Sequence, residues 1–512
     1  MASAAQIATV PEPKTRHFDP WRIGDAGILL VYSCVVLWTI QYHEKWADEA
    51  QAWLIARDLD LRSIWFHELR YEGSPGLWHT ILWIAQHVFH AGYGSISYIG
   101  AAFAIAGAAV LIFLAPFPRY IRWPLAFTYV VVYQYAVIAR PYTLLPLLVF
   151  CAAIFFADAQ HPERLTLILV LLALLTLHGA ILAGCFGVAC LVEANANWKL
   201  FDDRLKRRYY ACVAIMAATF LFVAIILKPS PDVEEFAMKK EVADIARSLN
   251  VQMPTPQVKL VSVVSGALLG YEWLSFLFLL LTGIWCIIRK RFLPFALSAS
   301  LLIVLYVAVH GYSHHHGTLT VAVIASVWIA WPSAKENAHL NQLQRYATQG
   351  MALLLLVFCG LQIWDAGVVI RHEYLYPYSG AGDAANFLKA DGALHESVYG
   401  YLYGVTGIQA YFDHNIFANL STSYYHHGVP VEGAQLDLSE VARTKPGHLV
   451  IFTEQPQLMM NSGVLNGLEP LGYKMVHFSD GYMLYRRAVY VRQAYFIYRR
   501  AGWPESAAAA VH

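Results

Sequence analysis

Two adjacent carboxylates, Asp48 and Glu49, follow directly on an apolar run from Gly24 to Tyr42 that is long enough to cross a bilayer. Ionised groups at a membrane surface are costly unless solvated or paired, so a carboxylate pair there suits proton abstraction or cation binding. The plainer reading is a solvated cap opening the next helix. Arg140, in Ala139-Arg140-Pro141-Tyr142-Thr143, is the one charge between Trp123 and Phe156 and falls at a turn between two apolar runs. A cation so placed either binds an anion or snorkels to water. His178 has the same placement, with a hydrogen-bonded structural histidine as the alternative. The run His310-Gly311-Tyr312-Ser313-His314-His315-His316-Gly317 offers a divalent cation, Mg or Mn, a ligand such as His314 alongside Asp48 or Glu49. A local histidine triplet cannot all face one ion in regular structure, so a solvated loop is the simpler reading.

The elements that must position these residues are apolar. Hydrophobic residues make up 58% of the 512 and charged residues only 14%, with mean hydropathy +0.45, which points to a polytopic membrane protein. A net charge of +1 without a basic block excludes a nucleic-acid surface. No small-residue cleavage site follows the first apolar run, so it reads as a retained anchor. The seven cysteines all lie in apolar stretches and read as small core residues.

Further apolar stretches recur through residue 370, and basic clusters at Arg119/Arg122, Arg164, Arg204–Arg208, Arg289–Arg291 and Lys335/Arg345 set their sidedness. With those clusters cytoplasmic, Asp48–Pro75, Arg140–Tyr142, His178, Lys228–Val258, His310–Gly317 and everything after Ile370 fall outside. Two full spans between Gly76 and Phe117 would conflict with Arg119 and Arg122. The segment 76–90 is therefore expected to be partly interfacial, giving about eleven crossings.

Between Asp48 and Phe66 an imperfect apolar periodicity predicts an interfacial helix on the outer leaflet. Within the outer loop 43–75, Arg70 and Glu72 precede His79 at the entry to the next apolar run. The long loop 228–258, opened by Lys228 and bracketed by prolines, reads as a lid. Residues 371–512 read as a small soluble α/β domain: Ala384–Ala390 as a helix, His448–Thr453 as a buried strand, and Tyr473–Phe478 with Tyr482–Arg486 as a hairpin. Glu72 and Glu272 can also pair with arginines, which would make them structural.

This organisation resembles the GT-C superfamily of integral-membrane glycosyltransferases, of the protein O-mannosyltransferase and lipid A aminoarabinose transferase type. The resemblance rests on the acidic pair after the first span, on Arg70-Tyr71-Glu72-Gly73-Ser74-Pro75-Gly76-Leu77-Trp78-His79 where the family often has a His-Pro-Pro-Leu-Tyr-type run, and on Arg140 just before Pro141. It covers about the first 370 residues, and the outer domain also resembles that of many members. Ser74 and Gly76 depart from the usual run. The resemblance implies a sugar donor on a polyprenyl phosphate, a glycan, lipid or protein acceptor, and a bacterial-type inner membrane with the C-terminal domain periplasmic or otherwise extracytoplasmic. It also implies Asp48 as the catalytic or metal-associated carboxylate.

A carboxylate that takes the proton of an acceptor hydroxyl suits that chemistry, and a phosphate leaving group needs cationic stabilisation. The candidates for the second role are Arg140, Arg70, His178, His79 and Lys228, with Tyr142 and Glu72 as further site residues. Alternatives are an oligosaccharide ligase or polymerase of the same superfamily, or a lipid or solute transporter. Transporters place charges near the bilayer midplane and often show inverted halves, whereas the polar residues of this chain gather at span ends.

Overall fold

A computed structural model of the chain describes residues 21–233, 255–308, 313–393, 397–427, 429, 435–461, 463–486 and 489–502. The fold is mainly helical with a small C-terminal sheet region. In an apolar surround every backbone polar group must be satisfied internally, and uninterrupted apolar runs do this as helices. Five helices are long and apolar enough to cross a membrane: Trp21–Thr39 (through its window Arg22–Thr39), Ser95–Leu114, Leu177–Ala196, Asp203–Ile226 and Gln342–Leu375. Pro256–Ala267 and Glu272–Ile288, bent by 75° at their junction, add a sixth if counted as one broken span. Pro141–Phe155, Phe292–Ala308 and Gly317–Ala330 are shorter apolar helices. By length and composition the described residues thus hold five or six spans, against the about eleven crossings expected from charge patterning. The lid segment falls largely outside the described residues, as do His310, Gly311 and Tyr312.

The helix Leu77–His87 has 11 residues; it rises about 16 Å, roughly half the hydrocarbon thickness. Asp25, in the first turns of Trp21–Thr39, pairs with Arg119 at 3.3 Å and Arg122 at 3.1 Å. The foot of the first helix and the segment after Ser95–Leu114 therefore share one end of the module.

The helix Ala47–Asp58 corrects one expectation. It is buried on nearly every side, with Trp53, Leu54, Ile55 and Ala56 all enclosed. Leu77–His87 packs on one side and the turn Thr406–Gln409 on another. Its weak amphipathicity reflects burial between two parts of the protein, and no face is left for the leaflet.

The C-terminal region has a four-stranded sheet in the order β1-β2-β6-β3, with β1 Val398–Tyr401, β2 His448–Thr453, β3 Tyr473–Ser479 and β6 Ala494–Arg500. β1 and β2 are parallel; β6 is antiparallel to β2 and β3, with Val450 opposite Ile497. All six residues of β2 are buried, so the run His-Leu-Val-Ile-Phe-Thr is the continuous apolar type expected of a covered strand. The expected β3–β4 hairpin does not form. β4 Tyr482–Tyr485 pairs instead with β5 Val489–Arg492, as an excursion closed at its base by paired bonds between Gly481 and Gln493. Met483 and Leu484 on this ribbon join the core of the helical module, and that burial outweighs local pairing with β3.

Candidate functional site

Trp46 is extended and opens the Ala47–Asp58 helix, and Glu49 folds back to accept the Trp46 N–H at 3.3 Å, closing the first turn. Asp48 and Glu49 therefore occupy adjacent helical positions about 100° apart and face different partners. Asp48 Oδ2 lies 3.1 Å from Arg140 Nη2, with side chains 19% and 16% exposed. Arg140 is extended, as the residue before a proline tends to be, and Pro141 starts a 3₁₀ turn behind it. The guanidinium lies 5.6 Å from both the Trp46 and Tyr142 rings. Among the described residues no second carboxylate or carbonyl engages it. Its remaining donors line a cavity of about 10 Å³ shared with Gln134, Tyr135, His314, Tyr378 and Tyr485.

Glu49 turns the other way and is fully buried. Its Oε1 accepts the Ala139 N–H at 2.8 Å, and its Oε2 lies 3.0 Å from His43 Nε2. His43 Nδ1 lies 2.9 Å from Glu373 Oε1, which also accepts from the Tyr133 hydroxyl. Burial opposes charge on His43, but the Glu49 and Glu373 carboxylates outweigh it and lift its pKa to about 10. For Glu49, burial is likewise opposed and outweighed by His43, which holds the carboxyl below its usual range.

A second polar layer flanks Asp48. Gln51 donates to Glu72 Oε1 at 2.8 Å and to the Tyr425 carbonyl, and accepts the Tyr425 N–H at 3.1 Å. Burial raises the Glu72 carboxyl. His79 is buried with Nε2 3.9 Å from Glu72 Oε2, and Glu68 faces His426 at 3.2 Å. The segment 423–427 thus docks the C-terminal region onto the segment 43–75. Gly73, in the left-handed region at φ 61°, ends the short helix that carries Glu72 and turns the chain toward Leu77–His87.

The other sequence candidates are placed as follows. His178 Nδ1 lies 3.0 Å from the Tyr142 hydroxyl, and its ring stacks on Tyr306 and tilts against His315. His314 lines the Arg140 cavity, its ring 6.1 Å from Trp46. Arg70 bonds the Phe66 carbonyl, and Lys228 is exposed beyond Asp203–Ile226; neither touches Arg140 or Asp48. Glu272 is exposed in the first turn of its helix and pairs with no arginine among the described residues.

Sequence reading missed His43, Glu373 and Tyr133. Glu373 follows Arg371 and His372 at the polar end of its run and gave no such signal; Asp365, an acid within an apolar run, did, a placement that marks partnered groups. Among the described residues no three His, Cys, Asp or Glu groups converge on one point; Asp48 faces a guanidinium and Glu49 an imidazole.

A second opening of about 490 Å³ lies at the C-terminal end of Trp21–Thr39 and is polar, lined among others by Gln41, Glu44, Lys45, Tyr98, Asp383 and Tyr411.

No protein-family model matches the sequence, and no curated protein matches it. Among solved structures, the crystal structure of ArnT from Cupriavidus metallidurans in the apo state superposes with a TM-score of 0.51. The match covers 93% of this chain and 97% of that one at 13% identity. ArnT is a lipid A aminoarabinose transferase, a GT-C glycosyltransferase. The fold is GT-C-like. A GT-C-like fold accounts for the pairing of a helical membrane module with a C-terminal sheet region over almost the whole length of the chain.

Proposed function

We propose that the chain is an integral-membrane glycosyltransferase, transferring a sugar from a polyprenyl-phosphate-linked donor to an acceptor at the outer face of the inner membrane. The reaction inverts the anomeric carbon, with Asp48 as general base. The observation that carries this reading is the 3.1 Å Asp48–Arg140 pair at a small cavity, in which one guanidinium nitrogen meets the carboxylate and the others remain available. A guanidinium has five N–H donors in a fork that matches phosphate oxygens.

In the proposed step the acceptor hydroxyl attacks the anomeric carbon and gives its proton to Asp48. The bond from that carbon to the phosphate oxygen breaks, and the phosphate leaves with the electron pair. Arg140 stabilises the charge that develops on it. The cavity of about 10 Å³ admits no phosphate as it stands, so donor entry requires the Tyr485 or Tyr378 ring to move. The larger polar groove suits a hydroxyl-rich acceptor. Residues 1–370 supply the transferase module and 371–512 an extracytoplasmic unit that closes over it.

The test is release of free polyprenyl phosphate by the purified protein in lipid vesicles, from a panel of labelled polyprenyl-phosphate sugars, with and without acceptor glycans and lipids. Acceptor-dependent release supports the reading, and absence of release across the panel sinks it. Sidedness is tested separately. A cysteine replacing exposed Asp413 should react with an impermeant thiol reagent in intact cells, while one replacing Asp203 should be protected; the reverse pattern would move the site to the inner face.

A further inference from the structure

Behind the Asp48–Arg140 pair lies a group that the proposed reaction does not use. His43, Glu49 and Glu373 have side chains 0%, 0% and 1% exposed, and each imidazole nitrogen faces a carboxylate, at 3.0 Å and 2.9 Å. A carboxylate only accepts hydrogen bonds, so both contacts are satisfied together when both ring nitrogens carry protons. The cation then offsets two buried anions. Without it, two desolvated carboxylates would share one site uncompensated, an arrangement that burial makes strongly unfavourable.

The connectivity ties this charge to the site. Glu49 follows Asp48, and Ala139 precedes Arg140. Two neighbouring residues of the outer loop therefore grip two neighbouring residues at the span end: Asp48 through the Arg140 side chain, and Glu49 through the Ala139 N–H at 2.8 Å. Glu373, at the end of Gln342–Leu375, anchors His43 from the far side with help from Tyr133. Three segments distant in sequence are thus joined through one imidazolium.

We propose that His43, Glu49 and Glu373 form a buried clamp of positioning residues that sets the distance and orientation of Asp48 relative to Arg140. The clamp holds its proton and takes no part in transfer, since neither Asp48 nor Arg140 bonds to it. This rests on the proposed glycosyl transfer for its kinetic readout and on the geometry for its protonation readout. The other titratable groups acting on the cluster include Tyr133, Tyr378 and Lys45, with Tyr93 and Tyr411 acting on Glu49 and Tyr129 on Glu373. Because the pKa of His43 is raised from 6.5 to about 10, its stabilising contribution is fully present below pH 6.5 and is lost as pH rises through about 10.

The experiment uses the full chain in lipid nanodiscs. Glu49→Gln keeps an oxygen for the Ala139 N–H and offers its amide to a neutral His43, giving up only the 3.3 Å bond from the Trp46 N–H, so kcat and donor KM should stay within about threefold of wild type. Glu49→Ala removes the grip. It should lower kcat per folded molecule on the order of a hundredfold, the scale of an ångström-size misplacement, and raise donor KM with it. A lowered melting temperature with wild-type kcat and KM in Glu49→Ala would overturn the positioning role.

Independently of any donor, ¹⁵N-histidine NMR spectra of wild type and His43→Gln at pH 8 should differ by one doubly protonated imidazolium. A neutral imidazole at His43 would overturn the clamp. An imidazolium there in a protein that transfers no sugar would remove the proposed reaction and leave the clamp standing.

Discussion

Two arginine–aspartate pairs in this protein share their chemistry and differ in almost everything else. Arg140 meets Asp48 at 3.1 Å on the rim of a cavity, the aspartate 19% exposed and the guanidinium only partly engaged. Arg486 meets Asp365 at 3.3 Å with the aspartate wholly buried, and also donates to the Ala267 and Leu268 carbonyls at 2.7 and 3.1 Å. Those carbonyls end the helix Pro256–Ala267 at its bend, so Arg486 caps it from the tip of the β4–β5 ribbon. Its guanidinium also lies 5.3 Å from the Tyr129 ring. One pair keeps donors in reserve at an opening, and the other spends them on protein groups. An ion pair is thus a candidate for chemistry when its hydrogen-bonding capacity is unspent and reachable, and a fastener when it is neither.

Breaking the fastener should have the largest effect. Arg486→Leu removes a guanidinium partner from the buried Asp365 and should destabilise the protein by about 3–5 kcal/mol, read as a fall in the detergent melting temperature. The double replacement Asp365→Leu with Arg486→Leu should recover most of that loss. A double variant as unstable as the single one would mean that the capped carbonyls, and not the ion pair, dominate.

Asp48→Asn should do the opposite: little change in melting temperature, but turnover of a labelled polyprenyl-phosphate sugar lower on the order of a hundredfold, about 2.7 kcal/mol. Full turnover in this variant would end the general-base assignment and reopen the transporter reading. Arg140→Ala should weaken donor binding by about tenfold, seen mainly in KM because the phosphate charge is present before and during transfer. If kcat alone fell, Arg140 would be acting only on the leaving group. The smallest effect is expected at a surface pair: Arg164, 3.1 Å from Asp158 and 54% exposed, should change stability by less than about 0.5 kcal/mol on conversion to Ala. A loss comparable to that of Arg486→Leu would undo the distinction between spent and exposed pairs.

The two pairs were not equally legible. Arg140 stood out because no other charge falls between Trp123 and Phe156, and Asp48 because it follows a span. Both are local facts about where charge sits in an apolar chain. Arg486 gave no such signal, since it lies in a polar stretch and is carried into the helical module by the apolar Met483 and Leu484 beside it. The buried Asp365 that receives it did carry the signal of an acid in an apolar run.

By itself the amino-acid sequence determined the apolar helices, the small sheet region after them, and the separation of Asp48 from Glu49 onto different helical faces. These follow from periodicity, run length and the demand that backbone groups be satisfied within an apolar surround. Tertiary structure alone decided that Asp48 meets Arg140, that Glu49 turns inward to His43, that β4 pairs with β5, and that the helix Ala47–Asp58 is enclosed instead of lying on a leaflet. The first and last depend on partners tens to hundreds of residues apart; the other two join near neighbours in sequence, but Glu49 is also held by Ala139 and the β4–β5 ribbon by the helical core. No local pattern encodes such contacts, because which buried charge finds which partner is settled by the packing of the whole chain.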